Sequence, residues 1–281
     1  MSPVPRVKEM EPPHLPRRRR DSHKGDFGRL FILAGSRDYT GAPVLCANAA
    51  VHSGAGLVTL AVPEEIWPIV AAKCCNEAMV WPLSDDYDTI LNKAAASDAV
   101  VIGPGLGQNG QTEKLVLALL RDLECPVILD ADGLNILAKH IDILDQRDGL
   151  TVLTPHEGEF ARLSGCELPI RDRTSAACDF AAAHVCVLIL KGHRTVTAYA
   201  DKSCVINTTG NPGMARGGSG DALAGMLGAM MCQFGRGAIA AGVWLHGRAG
   251  DLAAAEKGEY GMTVTDLIEQ IPYAMKERTE E

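Results

Sequence analysis

The sequence lacks any apolar run long enough to cross a bilayer. It also lacks a basic-then-apolar leader, since Met1–Glu11 has no apolar segment and carries Glu9 and Glu11. A membrane span and a secretory or mitochondrial address are both disfavoured, so the cytoplasm is the expected compartment. There is no excess of positive charge: 27 Lys and Arg stand against 35 Asp and Glu, a formal net charge of −8. Neither nucleic acid nor an anionic membrane is therefore expected as a partner. No CxxC pair occurs among the nine cysteines. Cys46, Cys178, Cys186 and Cys232 sit in apolar patterns, and Cys74 and Cys75 are adjacent. Reduced thiols are expected rather than a disulfide frame or a zinc site. His14, His140, His184 and His246 show no metal-ligand spacing and read as structural. No linker or internal repeat divides the chain.

What is present is an ordinary globular composition, 47% hydrophobic and 22% charged over 281 residues, enough for a large core. Residues 1–27 are rich in Pro and charge and read as a loose arm that the fold can dispense with. The run Arg17–Arg20 reads as a solvated segment, with a phosphate-facing or subunit-facing role as the alternative. A strand–helix alternation follows. Strands are predicted at Arg29–Ala34, Leu57–Val62, Ala99–Ile102, Val127–Leu129, Val152–Thr154 and Val187–Leu190, with a hairpin at Thr195–Ala200 and Ser203–Ile206. Helices are predicted at Ala42–His52, Ile66–Lys73, Thr112–Leu120, Asp172–His184, Asp221–Phe234, Ala238–Ala255 and Val264–Met275, with another following Phe160. Uncharged strands alternating with helices imply a mostly parallel sheet covered on both faces. In such a sheet, ligands sit beyond the carboxyl ends of the strands. The polar and glycine-rich segments all follow strands, so one rim should gather them.

The segment Asn211–Asp221 holds the run Gly217, Gly218, Ser219, Gly220. Successive glycines turn the chain sharply and aim several N–H groups one way, and the following helix adds its positive dipole end. A phosphate pocket is one reading; a helix start with Asp221 as cap is the other. No Gly-Lys-Ser/Thr follows, so this is not a P-loop, and no GxGxxG follows the first strand. Asp221 beside such a pocket can deprotonate a hydroxyl that attacks a terminal phosphoryl group. Lys191, Gly192, His193, Arg194 and Thr195 end a strand and suit a nucleotide, or form a plain hairpin turn. His156 and Glu159 follow another strand, where Glu159 can hold Mg²⁺ through water or serve only as a first-turn acid. Asp130-Ala131-Asp132-Gly133 can bind a cation, orient a hydroxyl or cap a helix. Gly103–Gly107 lets a substrate approach the backbone or forms a tight turn.

Together these motifs resemble the ribokinase-like superfamily, and within it the ADP/ATP-dependent NAD(P)H-hydrate dehydratases. The resemblance runs through His23–Gly28, Gly41–Leu45, Ser53–Thr59, Gly103–Gly107, Leu129–Asn135, Thr154–Phe160, Lys191-Gly192 and Gly210–Asp221, roughly residues 23–275. It implies a three-layer α/β/α sandwich with a mostly parallel sheet, an N-terminal arm (residues 1–25) and one domain (residues 26–281). It implies repair of the S epimer of hydrated NADH or NADPH (NADHX, NADPHX), with ADP or ATP as cosubstrate and Mg²⁺ as cofactor. ADP is the expected donor. Asp221 would act on the ring hydroxyl. Lys191–Thr195 with Gly217, Gly218, Ser219 and Gly220 would bind the nucleotide, and Ala42, Gly105, Gly107 and His156 would line the hydrate pocket. The resemblance further implies a homo-oligomer, such as a tetramer, and a separate epimerase as functional partner. The superfamily's vitamin kinases carry Asn where His156 stands, and a kinase for a thiazole or pyrimidine alcohol is the alternative activity.

Overall fold

The apolar runs Arg29–Leu33 (β2), Leu57–Val62 (β3), Ala99–Ile102 (β5), Val127–Leu129 (β6), Thr151–Leu153 (β7) and Val187–Leu190 (β8) lie side by side as parallel strands. Their side chains are almost wholly buried, which explains why they are apolar without alternation. Arg6–Glu9 (β1), Ala78–Pro82 (β4), Val196–Ala198 (β9) and Ser203–Ile206 (β10) complete one sheet in the order β1-β10-β9-β8-β7-β6-β5-β2-β3-β4. Among the described strands, only β9 runs antiparallel to its neighbours, as the predicted hairpin requires. This computed structural model describes residues 5–279, and none of the described helices is long and apolar enough to cross a membrane.

On one face of the sheet pack Tyr87–Ala95 (α3), Gly110–Asp122 (α4), Asp132–Leu137 (α5), Glu157–Ser164 (α6) and Arg173–Ala183 (α7). Gly41–His52 (α1), Trp67–Lys73 (α2), Ser219–Phe234 (α8) and Ile239–Gly261 (α9) cover the other face, with Val264–Lys276 (α10) packed outside against α1 and α9. This is the three-layer sandwich expected from the sequence. Helices α1 and α8 nearly touch: a Cβ on Gly225 would lie 1.9 Å from the Cys46 carbonyl oxygen. That contact brings the start of α8 against the start of α1.

Two features fix where ligands can sit. The strand order reverses between β2 and β5, the place where open parallel sheets bind ligands in a crevice. The Gly35 N–H donates to the Pro104 carbonyl at 2.8 Å and ties together the loops that follow these two strands.

The N-terminal segment differs from expectation. Residues 1–4 of the expected arm lie outside the described residues. Beyond them, β1 pairs in parallel with β10, Leu15 is buried, and its N–H donates to the Arg278 carbonyl at 2.8 Å. Within the arginine run, Arg18 donates to the Gly54 carbonyl (2.6 Å) and to Gln233 Oε1 (2.7 Å), with its guanidinium 3.6 Å above the Phe27 ring. All four β1 side chains are exposed, so backbone pairing holds the strand and no hydrophobic pattern announces it.

Candidate active site

Helix α8 begins at Ser219 because Gly218 adopts φ +97°, a left-handed turn that would strain any other residue. A Cβ at Gly218 would also strike Leu45 at 2.5 Å. The first-turn N–H groups of α8 have no intrahelical acceptor, and that of Ser219 donates to the Arg216 carbonyl at 3.4 Å. Ser219 and Gly220 line a cavity of 590 Å³ with Lys191, Gly192, His193, Arg194 and Thr195. The polar run after β10, Asn207 to Asn211, forms its far wall with Met214 and α9. Gly217 and Gly218, expected to cradle phosphate, are not among its walls: Gly218 is used to pack the turn against α1 and α10.

Lys191 ends β8. Its Nζ donates to Asp130 Oδ1 at 2.7 Å and lies 3.8 Å from Glu159 Oε2. Burial alone would lower its pKa, but the carboxylates of Asp130, Glu159 and Asp221 outweigh burial and hold it above the ordinary value. Gly220 is where these groups meet the glycine turn, since a Cβ there would sit 3.2 Å from Lys191 Nζ and 3.7 Å from Asp130 Oδ2. Asp221 is the next residue. Burial first, then the nearby Asp130 and Asp132 charges, push its pKa up to about 6, against the pull of Lys191. A carboxylate so placed is ionised at neutral pH yet basic enough to accept a proton.

The Lys191–Thr195 turn is braced from below. Arg173 donates to the Leu190 and Lys191 carbonyls (both 3.0 Å) and to the His193 carbonyl (2.8 Å), and its Nε lies 3.0 Å from Glu157 Oε1. Gly192 has φ +148°, and a Cβ there would sit 2.8 Å from Arg173 Nη2. Arg194 lines the cavity, but its guanidinium is paired with Glu9 of β1.

Ala42, Gly105 and Gly107 lie at the strand reversal, whereas His156 lies apart from them, after β7. Gly105, at φ +60°, lies against Ala42: a Cβ there would be 2.9 Å from the Ala42 Cβ and 2.7 Å from that of Tyr39. The Gly107 N–H donates to Asp132 Oδ2 at 2.8 Å, so Asp132 holds this loop. His156 lies beside Lys191 through a parallel backbone bridge. Its Nδ1 accepts from the N–H groups of Gly158 (3.0 Å) and Glu159 (3.2 Å), so the imidazole is the N-cap of α6, with its own proton on Nε2. Glu159 completes this capping box, accepting from the His156 N–H at 2.8 Å. The ring remains more than half exposed on its outer side.

Among the described residues, no three His, Cys, Asp or Glu side chains lie together as a metal site. Asp130 is engaged by Lys191 and Thr154, and Glu159 by the α6 cap. This donor set suits a Mg²⁺ ion that travels on nucleotide phosphates and keeps its waters, rather than one held in a protein cage.

Sequence reasoning missed one pairing and two contributors: it offered Asp130 for a cation or a hydroxyl, not for Lys191. Asp130 is the buried partner of Lys191, 61 residues away. Asp251 accepts from the Gly210 N–H (3.0 Å) and from Asn211 Nδ2 (3.1 Å), fixing the cavity's far lip. His246, expected to be merely structural, lines the cavity with Nε2 at 3.1 Å from the Ser219 carbonyl. Burial lowers its pKa to about 4, so it donates there as a neutral ring. The polar run after β10 is the signal that could have marked the far wall; His246 sits in an apolar helix and gave none.

Comparison with known proteins agrees with this geometry. A family model described as NAD(P)H-hydrate dehydratase matches residues 30–273. The ADP-dependent (S)-NAD(P)H-hydrate dehydratase of Bacillus subtilis is 35% identical over 274 residues, 93% of this chain and 94% of that protein. The bifunctional NAD(P)H-hydrate repair enzyme of Moorella thermoacetica is 42% identical over 280 residues, 95% of this chain but 53% of its own length; the chain thus spans about half of such relatives. The crystal structure of the ADP/ATP-dependent NAD(P)H-hydrate dehydratase from Bacillus subtilis, co-crystallised with ATP and Mg²⁺, superposes with a TM-score of 0.81 at 33% identity. It covers 94% of this chain and 95% of that one.

Proposed function

Because the chain belongs to the NAD(P)H-hydrate dehydratase family, we propose that it returns (6S)-NADHX and (6S)-NADPHX to NADH and NADPH at the expense of ADP. The observation that carries this reading is the meeting of Asp221 and Lys191 at Gly220, on the wall of a nucleotide-sized cavity; the crevice at Ala42, Gly105 and Gly107 is proposed for the hydrate. A hydroxyl in the crevice and a terminal phosphate in the cavity would face each other across Asp221.

Hydroxide is a poor leaving group and phosphate a good one. In the proposed sequence the ring hydroxyl oxygen attacks the terminal phosphorus of ADP while Asp221 accepts the hydroxyl proton. The bond from phosphorus to the bridging oxygen breaks, and AMP leaves with the electron pair. Lys191 and the α8 N–H groups stabilise the charge that builds on the transferred oxygens. The ring nitrogen lone pair then expels phosphate from carbon, and loss of a proton from the adjacent carbon restores the double bond. Mg²⁺, when bound, neutralises phosphate charge, and Glu159 would reach it only through water.

Lys191–Thr195, Ser219 and Gly220 are proposed as nucleotide contacts because they wall the cavity. His156 is proposed to face the hydrate with the outer side of its ring. The division into an arm (residues 1–25) and one catalytic unit, assembly as a homo-oligomer such as a tetramer, and a cytoplasmic setting are proposed with it. The nine free thiols are consistent with a reducing compartment. Acting on one epimer, the activity proposed for this chain would depend on an epimerase for the other. The test is product identity by phosphorus NMR: one AMP and one inorganic phosphate should appear per NADH restored. A stable phosphate ester would mean a small-alcohol kinase instead.

A further inference from the structure

The chemistry above uses two of the buried charged groups at Gly220 and leaves the third without a role. That third group is Asp130, which follows β6 and is 1% exposed. One carboxylate oxygen, Oδ1, takes both Lys191 Nζ and Thr154 Oγ1 at 2.7 Å; the other lies nearest the glycine turn. Its backbone is equally fixed. A Cβ on Gly103 would lie 1.8 Å from the Asp130 carbonyl oxygen, and the next residue, Ala131, takes φ +47°. A left-handed alanine persists only where the surroundings over-determine it.

We propose that Asp130 is a positioning residue for phosphoryl transfer: it holds the Lys191 ammonium against Gly220, where the nucleotide's terminal phosphate and the Asp221 carboxylate meet. This rests on the phosphoryl-transfer reading above. An ammonium has three donors; Asp130 takes one, which leaves the others for Glu159 and for phosphate oxygens. Without Asp130, the flexible lysine stem has Glu159, at 3.8 Å, as its remaining close carboxylate and turns away from the cavity. The same charge acts on Asp221, whose charged surroundings are Asp130, Lys191 and Asp132. In a background without Lys191, whose charge acts the other way, removing it makes Asp221 easier to ionise.

The test is a double-mutant cycle of Asp130→Asn and Lys191→Met in the full chain, read first by calorimetry with ADP and Mg²⁺. Each single variant is expected to weaken ADP about tenfold or more, the usual loss for a hydrogen bond to a charged group. The double variant should be no worse than Lys191→Met alone. The second readout is the pH dependence of kcat/KM, whose acid limb should move to lower pH in the double variant relative to Lys191→Met, where the lysine's opposing pull on Asp221 is absent from both proteins. Effects that multiply in the double variant, or an acid limb that stays in place, overturn the proposal. Should Asp130→Asn fail to fold, Thr154→Val takes its place in the cycle: a several-fold loss of ADP affinity, absent in the Lys191→Met background, is expected, and an unchanged affinity overturns the proposal. If the wild type restores no NADH, the repair reading falls by itself, and the ADP cycle still decides the role of Asp130.

Discussion

Replacing Asp221 by Asn should sharply reduce turnover and at the same time stabilise the protein. Burial and neighbouring carboxylates raise the Asp221 pKa from 3.8 to about 6. A raised carboxyl pKa means that the folded state holds its proton more tightly than the unfolded chain. The stability this confers is complete below the unfolded value and is lost as pH rises through about 6. At pH 7.5 the ionised group therefore costs the fold roughly 3 kcal/mol, at about 1.4 kcal/mol per pKa unit. Asn keeps the shape and carries no charge, so it relieves up to that amount. For a chain of this length that corresponds to about 5 °C in Tm. At pH 5 about half of the difference should remain, because the wild-type carboxyl is then mostly protonated when folded. Turnover should fall by about 10²–10⁴, the usual share of a general base. Thermal unfolding of both proteins at pH 7.5 and pH 5, beside steady-state kinetics, tests this. A variant no more stable than wild type, or a stability gap equal at both pH values, would refute the assigned environment of Asp221. Near-normal turnover would refute its role.

Three further perturbations follow from the geometry. Gly220→Val puts branched carbon where Lys191 Nζ would be 3.2 Å from the new Cβ, so ADP affinity should drop roughly tenfold by calorimetry while circular dichroism stays unchanged; unaltered affinity would put the phosphate elsewhere. His156→Ala removes the α6 cap at a cost of about 1 kcal/mol in denaturant unfolding, and should also raise the KM for the hydrate up to roughly tenfold with the ADP KM unmoved. Lost stability with an unchanged hydrate KM would leave the ring a cap and nothing more. Deleting residues 1–20 removes β1, the Arg18 contacts and buried Leu15, whose burial alone is worth about 1.5–3 kcal/mol, so Tm should fall by several degrees. A Tm within a degree of wild type would make the arm the dispensable segment its composition suggests.

The buried parallel strands were legible because strands covered on both faces must be apolar throughout, as Phe31, Ile32 and Leu33 of β2 are. The edges were not. β4 exposes Met79 and ends in Pro82, and β1 exposes every side chain, so neither carries a period that marks a strand. Helix α3 was missed although Asp86 caps it by accepting from the Thr89 N–H, an N-terminal signal present in the sequence. Helix α8 starts two residues earlier than expected because the left-handed Gly218, rather than Asp221, ends the loop. Within the site, Asp221, Gly220 and Lys191 stood out through residue type at the ends of strands and loops. The Lys191–Asp130 pair did not, because it depends on β6, β7 and β8 being consecutive in the sheet. The imidazole of His156 was read for its ring face, and its work as a helix cap emerges only from the backbone geometry of α6.

The most direct measurement is the return of NADH absorbance when the wild-type protein is mixed with chemically prepared NADHX, ADP and Mg²⁺. The expected result is recovery of absorbance up to the S-epimer fraction, dependent on ADP, with AMP and phosphate formed in equal amount. No recovery, alongside conversion of a thiazole or pyrimidine alcohol to a stable phosphate ester, would contradict the account.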